Sequence, residues 1–367
     1  MEHGPQDNFL TLHEFVKAAR MKLNPNTWDY LVGGTETETT LKRNRLSLDQ
    51  IALRPRVLRD VSQIDASADF MGQKVRLPVL LAPVGSLDSF DPGAGVAVAE
   101  GAGAFGVPMM LSSVNKLPLA DVRAKTKSPL LFQLYVRGDE AFVDEVVAEA
   151  QEAKYDAFCM TVDTAVYSRR ERDIAKRFVK RWRSEATGMA NQAALNWYDV
   201  ERFKSKHKIP LILKGIGTAE DAKIAVEHNV DVIYVSNHGG RQLDHGRGSM
   251  DVLPEIMEAV DGRAKVIVDG SFCRGTDVVK AMALGVEAIG IGRLYCYALA
   301  AAGAAGIARM LEILENEVRS ALGLSGVTRY EQLNRSHLHF GAPMVTEPHV
   351  FSAFPLLNLD DPGYGGR

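Results

Sequence analysis

The stretch "SNHGGRQLD", Ser236 to Asp244, follows the apolar run "VDVIYV" and sets a histidine between an asparagine and two glycines, with an arginine three positions on. His238 is a side chain that exchanges a proton near neutral pH, and Arg241 carries a fork of donors suited to a carboxylate or phosphate. Gly239 and Gly240 allow the chain to turn sharply between them. A base and half an anion clamp from one short segment suit the removal of a proton from an acid-bearing substrate.

Similar residues end other apolar runs: Ser112, Gln133 with Tyr135, Thr161 with Asp163, Lys214, Asp269 and Arg293. Singly, each has an ordinary explanation, as a turn hydroxyl, a solvated lysine or an aspartate satisfying backbone donors. Gathered around one cavity they would bring together Lys, His, two Arg and two Asp, which stability alone gives no reason to do. "DGSFCRG" and "GIGR" add glycine-containing turns at the seventh and eighth runs, a setting in which barrels hold phosphate with backbone N–H groups and an arginine.

The runs themselves are "PVLLAPVG" (78–85), "VPMMLSS" (107–113), "LLFQLYV" (130–136), "AFCMTVD" (157–163), "PLILKG" (210–215), "VIYVSN" (232–237), "KVIVDG" (265–270) and "AIGIGR" (288–293). Their length and their apolar character on both faces predict parallel strands buried on both sides. Helical patterns such as "DEAFVDEVVAEAQEAK" and "TAEDAKIAVEHN" lie between them. Eight alternations predict an α/β fold, a (β/α)8 TIM barrel, with the polar run ends converging on its C-terminal mouth. A doubly wound open sheet is the rival, because strand order is not written in one sequence. The expected organisation is one domain over 1–367, with a helical N-terminal extension (1–77), the barrel (78–322) and a C-terminal tail (323–367).

The chain has 367 residues, 46% hydrophobic and 24% charged, with a formal net charge of −3. This balance suits a large globular core and argues against nucleic acid as a partner. The three cysteines, Cys159, Cys273 and Cys296, have no spacing that suggests a metal site or a disulfide framework. No stretch of about 20 apolar residues stands out, so no membrane partner is expected, and the location expected is cytoplasmic.

"SNHGGRQLD", "TVDT" with "RRERD", "FQLYV", "LKGI" with "TAEDA", "DGSFCRGTDVVKAMALG" and "IGR" occur in an order that resembles the FMN-dependent 2-hydroxy acid oxidase/dehydrogenase family, from about Leu12 to "NRSHL" at 334–338. The resemblance implies an FMN-binding barrel that oxidises a small-molecule 2-hydroxy acid to the 2-oxo acid, as a homotetramer or homo-octamer. It implies His238 as base, Asp163 as its orienting carboxylate, Arg170 and Arg241 as the carboxylate clamp, and Tyr30 of "WDYLVGG" and Tyr135 as hydroxyls facing the substrate. Ser112, Gln133, Thr161 and Lys214 would hold the isoalloxazine ring beside Pro83, Val84 and Gly85. Ser236, Asp269, Gly270, Ser271 and Gly292 complete the cofactor contacts, with Arg293 on the phosphate. The chemistry asks for these residue types independently: a base near neutral pH, a carboxylate that fixes its tautomer, forked cations for the acid, and a lysine beside the charge of reduced flavin.

Several positions depart from the family pattern. The family's usual "DGGVRRG" is "DGSFCRG", so Ser271 replaces a glycine and Cys273 an arginine that helps hold the phosphate. This predicts weaker FMN binding unless another cation, such as Arg274, reaches the site. Val114 stands where an aromatic is common and predicts a roomier pocket. Gly85, in place of alanine, predicts free space beside the flavin. The basic run "KRFVKRWRSE" reads as a mobile charged lid. Two other functions stay open: a lyase or isomerase in which Lys214 forms a Schiff base with a phosphorylated substrate, and a family member that binds flavin without turnover.

Overall fold

The computed structural model describes residues 9–115, 117–178, 187–341, 351–354 and 357. Eight strands close a barrel: β1 (Val79–Leu81), β2 (Met109–Ser112), β3 (Leu130–Leu134), β4 (Ala157–Thr161), β5 (Leu211–Ile216), β6 (Val232–Val235), β7 (Lys265–Asp269) and β8 (Ala288–Ile291). Each pairs in parallel with its sequence neighbour, and β8 closes on β1 through Ile289 opposite Val79. This excludes the doubly wound sheet.

The two-sided burial of the strands is direct. Leu80, Met110, Leu131, Cys159, Ile212, Tyr234 and Ile267 fill the barrel interior as one cluster, while alternate residues such as Leu81, Met109, Leu130, Phe158 and Leu213 pack outward into the main core. Period-two side chains on a closed sheet leave no solvent face, which is why the runs are apolar throughout. Between strands the helices form as their capping signals predict; Thr218 accepts from the N–H of Asp221 at 3.2 Å and starts the helix Ala219–Glu227.

Among its described residues the N-terminal extension holds three helices, α1 (Leu12–Lys22), α2 (Pro25–Val32) and α3 (Thr39–Asp49). It is not wholly helical, because Ala68–Phe70 and Gln73–Val75 form an antiparallel hairpin whose Phe70 and Val75 join the barrel-interior cluster. Its turn residues Met71 and Gly72 both have positive φ, 52° and 81°. Such turns favour Asn-Gly or Asp-Gly, so Met-Gly gave no hairpin signal. α3 is docked by the end of the histidine motif: Asp244 accepts from the N–H of Thr40 at 2.8 Å and from the hydroxyl of Thr37 at 2.6 Å.

The closing helix, α4 (Arg293–Leu324), corrects the reading that no long apolar stretch exists, since by length and composition it could cross a membrane. Here it is a core helix, mostly buried, broken at Ala302 and Gly303 by non-helical backbone and packed on α1. Beyond it Leu338–His339 pairs with Ala52–Leu53, and the turn at 351–354 lies against α1 and α2.

Candidate active site

Residues after β6 build the base. His238 has φ 59°, followed by Gly239 at 63° and Gly240 at 74°, three successive left-handed residues. A Cβ on Gly240 would lie 2.5 Å from the Leu41 backbone, and one on Gly239 2.8 Å from Arg293 Nη1. The two glycines therefore answer both a conformational and a steric demand. The left-handed histidine is held by its contacts: Nδ1 lies 3.0 Å from Asp163 Oδ1, Nε2 lies 3.1 Å from the Tyr135 hydroxyl, and its N–H donates to Ser236 Oγ at 3.1 Å. A carboxylate only accepts, which assigns the proton to Nδ1 and leaves Nε2 as an acceptor that faces the Tyr135 hydroxyl at the cavity wall.

Burial lowers the pKa of His238, opposed by the carboxylate of Asp163 and reinforced by Lys214, so the imidazole is neutral at pH 7. Burial pushes the carboxyl of Asp163 up, but facing His238 and Lys214 it stays ionised, below the usual carboxylate range. Burial and the negative charge of Asp163 keep the Tyr135 hydroxyl protonated.

Beneath the histidine, Ser236 Oγ donates to Asp269 Oδ1 at 2.7 Å and accepts from Lys214 Nζ at 3.0 Å. With the His238 N–H this uses the donor and both acceptor positions of the hydroxyl. Ser236 joins the ends of β5, β6 and β7 and does not itself line the cavity. Lys214 also lies 3.7 Å from Asp269 Oδ2.

The cations converge on the same cavity. Arg170, at the N-cap of a short helix (Glu171–Ala175), leaves its Nε buried without a hydrogen-bond partner among the described residues. Arg241 lies over the Tyr30 ring at 4.9 Å and donates Nη1 to the carbonyls of Tyr30 and Gly33. Burial first, then the neighbouring positive charges of Arg170 and Arg293, pull Arg241 down to about 9. A pocket that penalises its own cations is complementary to an anion.

Tyr30, Tyr135, Arg170, His238 and Arg241 line this cavity, with Asp163 behind the imidazole. Pro83, Val84, Gly85, Lys214, Asp269, Gly270, Ser271, Gly292 and Arg293 line it as well. Ser112, Gln133 and Thr161 do not; they are buried at the ends of β2, β3 and β4, with Ser112 donating to Gln133 Oε1 at 2.6 Å. Among the described residues Gln133 Nε2, Thr161 Oγ1 and Ser271 Oγ are buried without partners. Two orphaned groups at the strand ends and one in the β7 loop fit a ligand with a polar ring edge and a phosphate, as FMN has.

The β7 loop differs from expectation. Arg274 points away, to Glu317 Oε1 at 2.7 Å, so it does not replace the missing cation. Arg45 reaches the loop, donating to the Ser271 carbonyl at 3.0 Å, but it is paired with Asp277 at 2.8 Å and Asp49 at 2.6 Å. Arg293 spends Nε, Nη1 and Nη2 on the carbonyls of Leu31, Gly239 and Gly33, which among the described residues leaves one N–H on each terminal nitrogen. The space expected at Gly85 is filled, because a Cβ there would lie 2.5 Å from Val114 Cγ2.

Phe90, Cys296, Tyr297 and Phe354 also line the cavity and were not singled out from the sequence. Cys296 and Tyr297 follow Arg293 at helical i+3 and i+4 spacing, which could have flagged them. Phe354 lies in the tail, with no local signal. Residues 179–185 of the basic run fall outside the described residues; before them Lys176 bonds to Asp29, and Arg172 donates to Glu38 at 2.6 Å.

The family model "FMN-dependent dehydrogenase" matches residues 19–340. Glycolate oxidase 1 of Oryza sativa subsp. indica is 37% identical over 91% of this chain and 97% of its own length. L-lactate oxidase of Nostoc sp. is 36% identical over 90% of this chain and 98% of its own. A mandelate oxidase crystal structure superposes with a TM-score of 0.85 at 36% identity, covering 91% of this chain and all of that one. A mandelate oxidase variant carrying a C4a-hydroxy-FMN adduct gives 0.83 at 36% identity. With the barrel, the His238–Asp163 pair and a cavity that suits a flavin phosphate, these likenesses identify the chain as a member of the FMN-dependent 2-hydroxy acid oxidase family, which uses FMN to oxidise a 2-hydroxy acid to the 2-oxo acid.

Proposed function

We propose that His238 is the base, that Arg170 and Arg241 clamp the substrate carboxylate, and that the preferred substrate is an (S)-2-hydroxy acid with a side chain larger than that of glycolate. The carrying observation is the convergence on one cavity of Arg170, whose Nε has no partner among the described residues, of Arg241, whose charge is disfavoured there, and of His238, whose unprotonated Nε2 faces the Tyr135 hydroxyl. A carboxylate supplies the missing acceptor and so places the adjacent alcohol carbon beside Nε2.

FMN, when bound, supplies the two-electron acceptor. His238 Nε2 takes the substrate proton, Asp163 holds Nδ1–H and stabilises the imidazolium that forms, and the Tyr135 and Tyr30 hydroxyls orient the substrate oxygens. Ion-paired to Asp269, Lys214 serves as a fixed cation rather than a Schiff-base amine. Phe90, Val114 and Leu31 give the cavity apolar wall, which supports the larger side chain. The orphaned ring-side groups fit Gln133 and Thr161 to the isoalloxazine, and Ser271 with Arg293 to the phosphate.

The three buried free cysteines support a reducing, cytoplasmic location, and the assembly the family suggests is a homotetramer or homo-octamer. Comparing kcat/KM for mandelate-type acids and glycolate tests the substrate assignment. Anaerobic bleaching by the larger acid and a kcat/KM advantage of at least about tenfold support it; a glycolate preference overturns it.

A further inference from the structure

We propose that the turn Phe351–Phe354 is a strap that seals the phosphate end of the cofactor cavity with the Phe354 ring and so sets how fast FMN leaves. The inference rests on the reading that the β7 loop faces the FMN phosphate.

The turn is closed by the Phe354 N–H on the Phe351 carbonyl at 2.8 Å. Phe351 stacks on Trp28 of α2 at 5.9 Å and 8°. Phe354 is 1% exposed, meets His13 of α1 edge-on at 5.6 Å, and lines the cavity together with Phe272, Cys273 and Tyr297. A tail aromatic is thus part of the wall of the site.

The strap and the β7 loop share one polar network. Ser352 Oγ donates to Asp49 Oδ2 at 3.1 Å, Asp49 Oδ1 accepts from Arg45 at 2.6 Å, and Arg45 donates to the Ser271 carbonyl at 3.0 Å. Asp277, the second partner of Arg45, accepts the N–H groups of Cys273 and Arg274, both at 3.0 Å. Arg274 closes the circuit by donating to the Ala353 carbonyl at 3.2 Å. A loop ordered by a bound phosphate therefore presents the strap with its seat, and a docked strap steadies the loop.

Charge explains why sealing matters. Cys273 is neutral, while Arg274 and Arg45 are committed to carboxylates. The two remaining N–H groups of Arg293 and the loop donors act more strongly when water is kept out. Phe354 excludes that water.

The test uses the full chain loaded with FMN and follows flavin release by fluorescence after dilution. Phe354→Ala should speed FMN release by about tenfold or more, Phe354→Leu should restore most of the retention, and FMN should slow amide exchange across 351–354, as reciprocal coupling requires. Unchanged release from a folded Phe354→Ala protein overturns the proposal. If that variant fails to fold, the exposed Ser352→Ala, which unhooks the strap from Asp49, decides by the same measurement. Riboflavin, which lacks the phosphate, is the control: equal acceleration of both flavins overturns a phosphate-end seal. Separately, if Arg293→Met leaves the preference for FMN over riboflavin intact, it is the phosphate placement that fails.

Discussion

At one end of the cavity Asp163, Lys214, His238 and Asp269 come from the ends of four successive strands, β4 to β7, with His238 bonded to Asp163 and Lys214 linked to Asp269 through Ser236 of the same rim. At the other end Cys273, Tyr297 and Phe354 come from a loop, a helix and a tail turn, and the cations nearby, Arg45 and Arg274, are turned to carboxylates. The first end is stiff because its geometry is fixed by strand register. The second depends on segments that approach from outside the barrel, so function there is coupled to docking. Substitutions at the base end should change chemistry and leave binding; those at the phosphate end should do the reverse.

The largest effect expected is at His238. His238→Ala should lower turnover by about 10² to 10⁴ while FMN stays bound. Flavin reduction by substrate, followed in a stopped-flow instrument, checks it, and a wild-type rate would break the comparison at its first term.

The clamp comes next. Arg170→Met removes a guanidinium whose Nε awaits a partner, and a charge-assisted bond of ~1.5–3 kcal/mol corresponds to a loss of roughly 10- to 100-fold in kcat/KM. The matching amide substrate, which has no carboxylate charge, should lose much less.

The pH profile is sharper still as a test of His238. Its pKa lies below 6.5 because burial disfavours the imidazolium, and only the neutral ring accepts a proton. Activity should therefore be flat at pH 7 and fall on the acid side, by about tenfold per unit below the pKa. In Asp163→Asn the stabilising carboxylate is gone and the acid limb should move to lower pH. A limb that moves upward would remove Asp163 from the role.

At the phosphate end, restoring an arginine tests whether charge or packing limits FMN retention. A guanidinium on the phosphate is worth ~1.5–3 kcal/mol, but Cys273 is 8% exposed in an aromatic wall, and overpacking costs typically ~1–3 kcal/mol. The two nearly cancel. Cys273→Arg alone should change the FMN dissociation constant little, whereas in the Phe354→Ala background it should tighten binding by about tenfold. Equal tightening in both backgrounds would show that Phe354 does not crowd the position.

This contrast also explains what could be read from the amino acids. The barrel and the base end are visible because each strand carries its own period and its own polar terminus, and alignment at one rim follows from the fold. His238, Lys214 and Asp269 needed no knowledge of distant chain. Phe354 and the pairing of Arg45 with Asp277 were not visible, since 232 residues separate the latter two and neither has a local cue. Arg274 was misdirected for the same reason: its partner, Glu317, lies far along α4.

The smallest effect expected tests the same lesson within a few ångströms. Gly85 and Val114 looked like separate departures from the family, one leaving space by the flavin and the other widening the substrate pocket. They are one feature, because Val114 Cγ2 stands 2.5 Å from where a Cβ on residue 85 would be. Gly85→Ala must therefore push the valine toward the cavity both residues line, while Val114→Ala first makes the room that the new methyl needs. Neighbours of this kind couple by ~0.5–3 kcal/mol, so the two substitutions should be non-additive in kcat/KM for a bulky hydroxy acid, with the double variant better than the product of the single effects. A double-mutant cycle measures this directly. Additive effects would mean that Val114 rotates away at no cost, and would return Gly85 to the role of open space beside the cofactor.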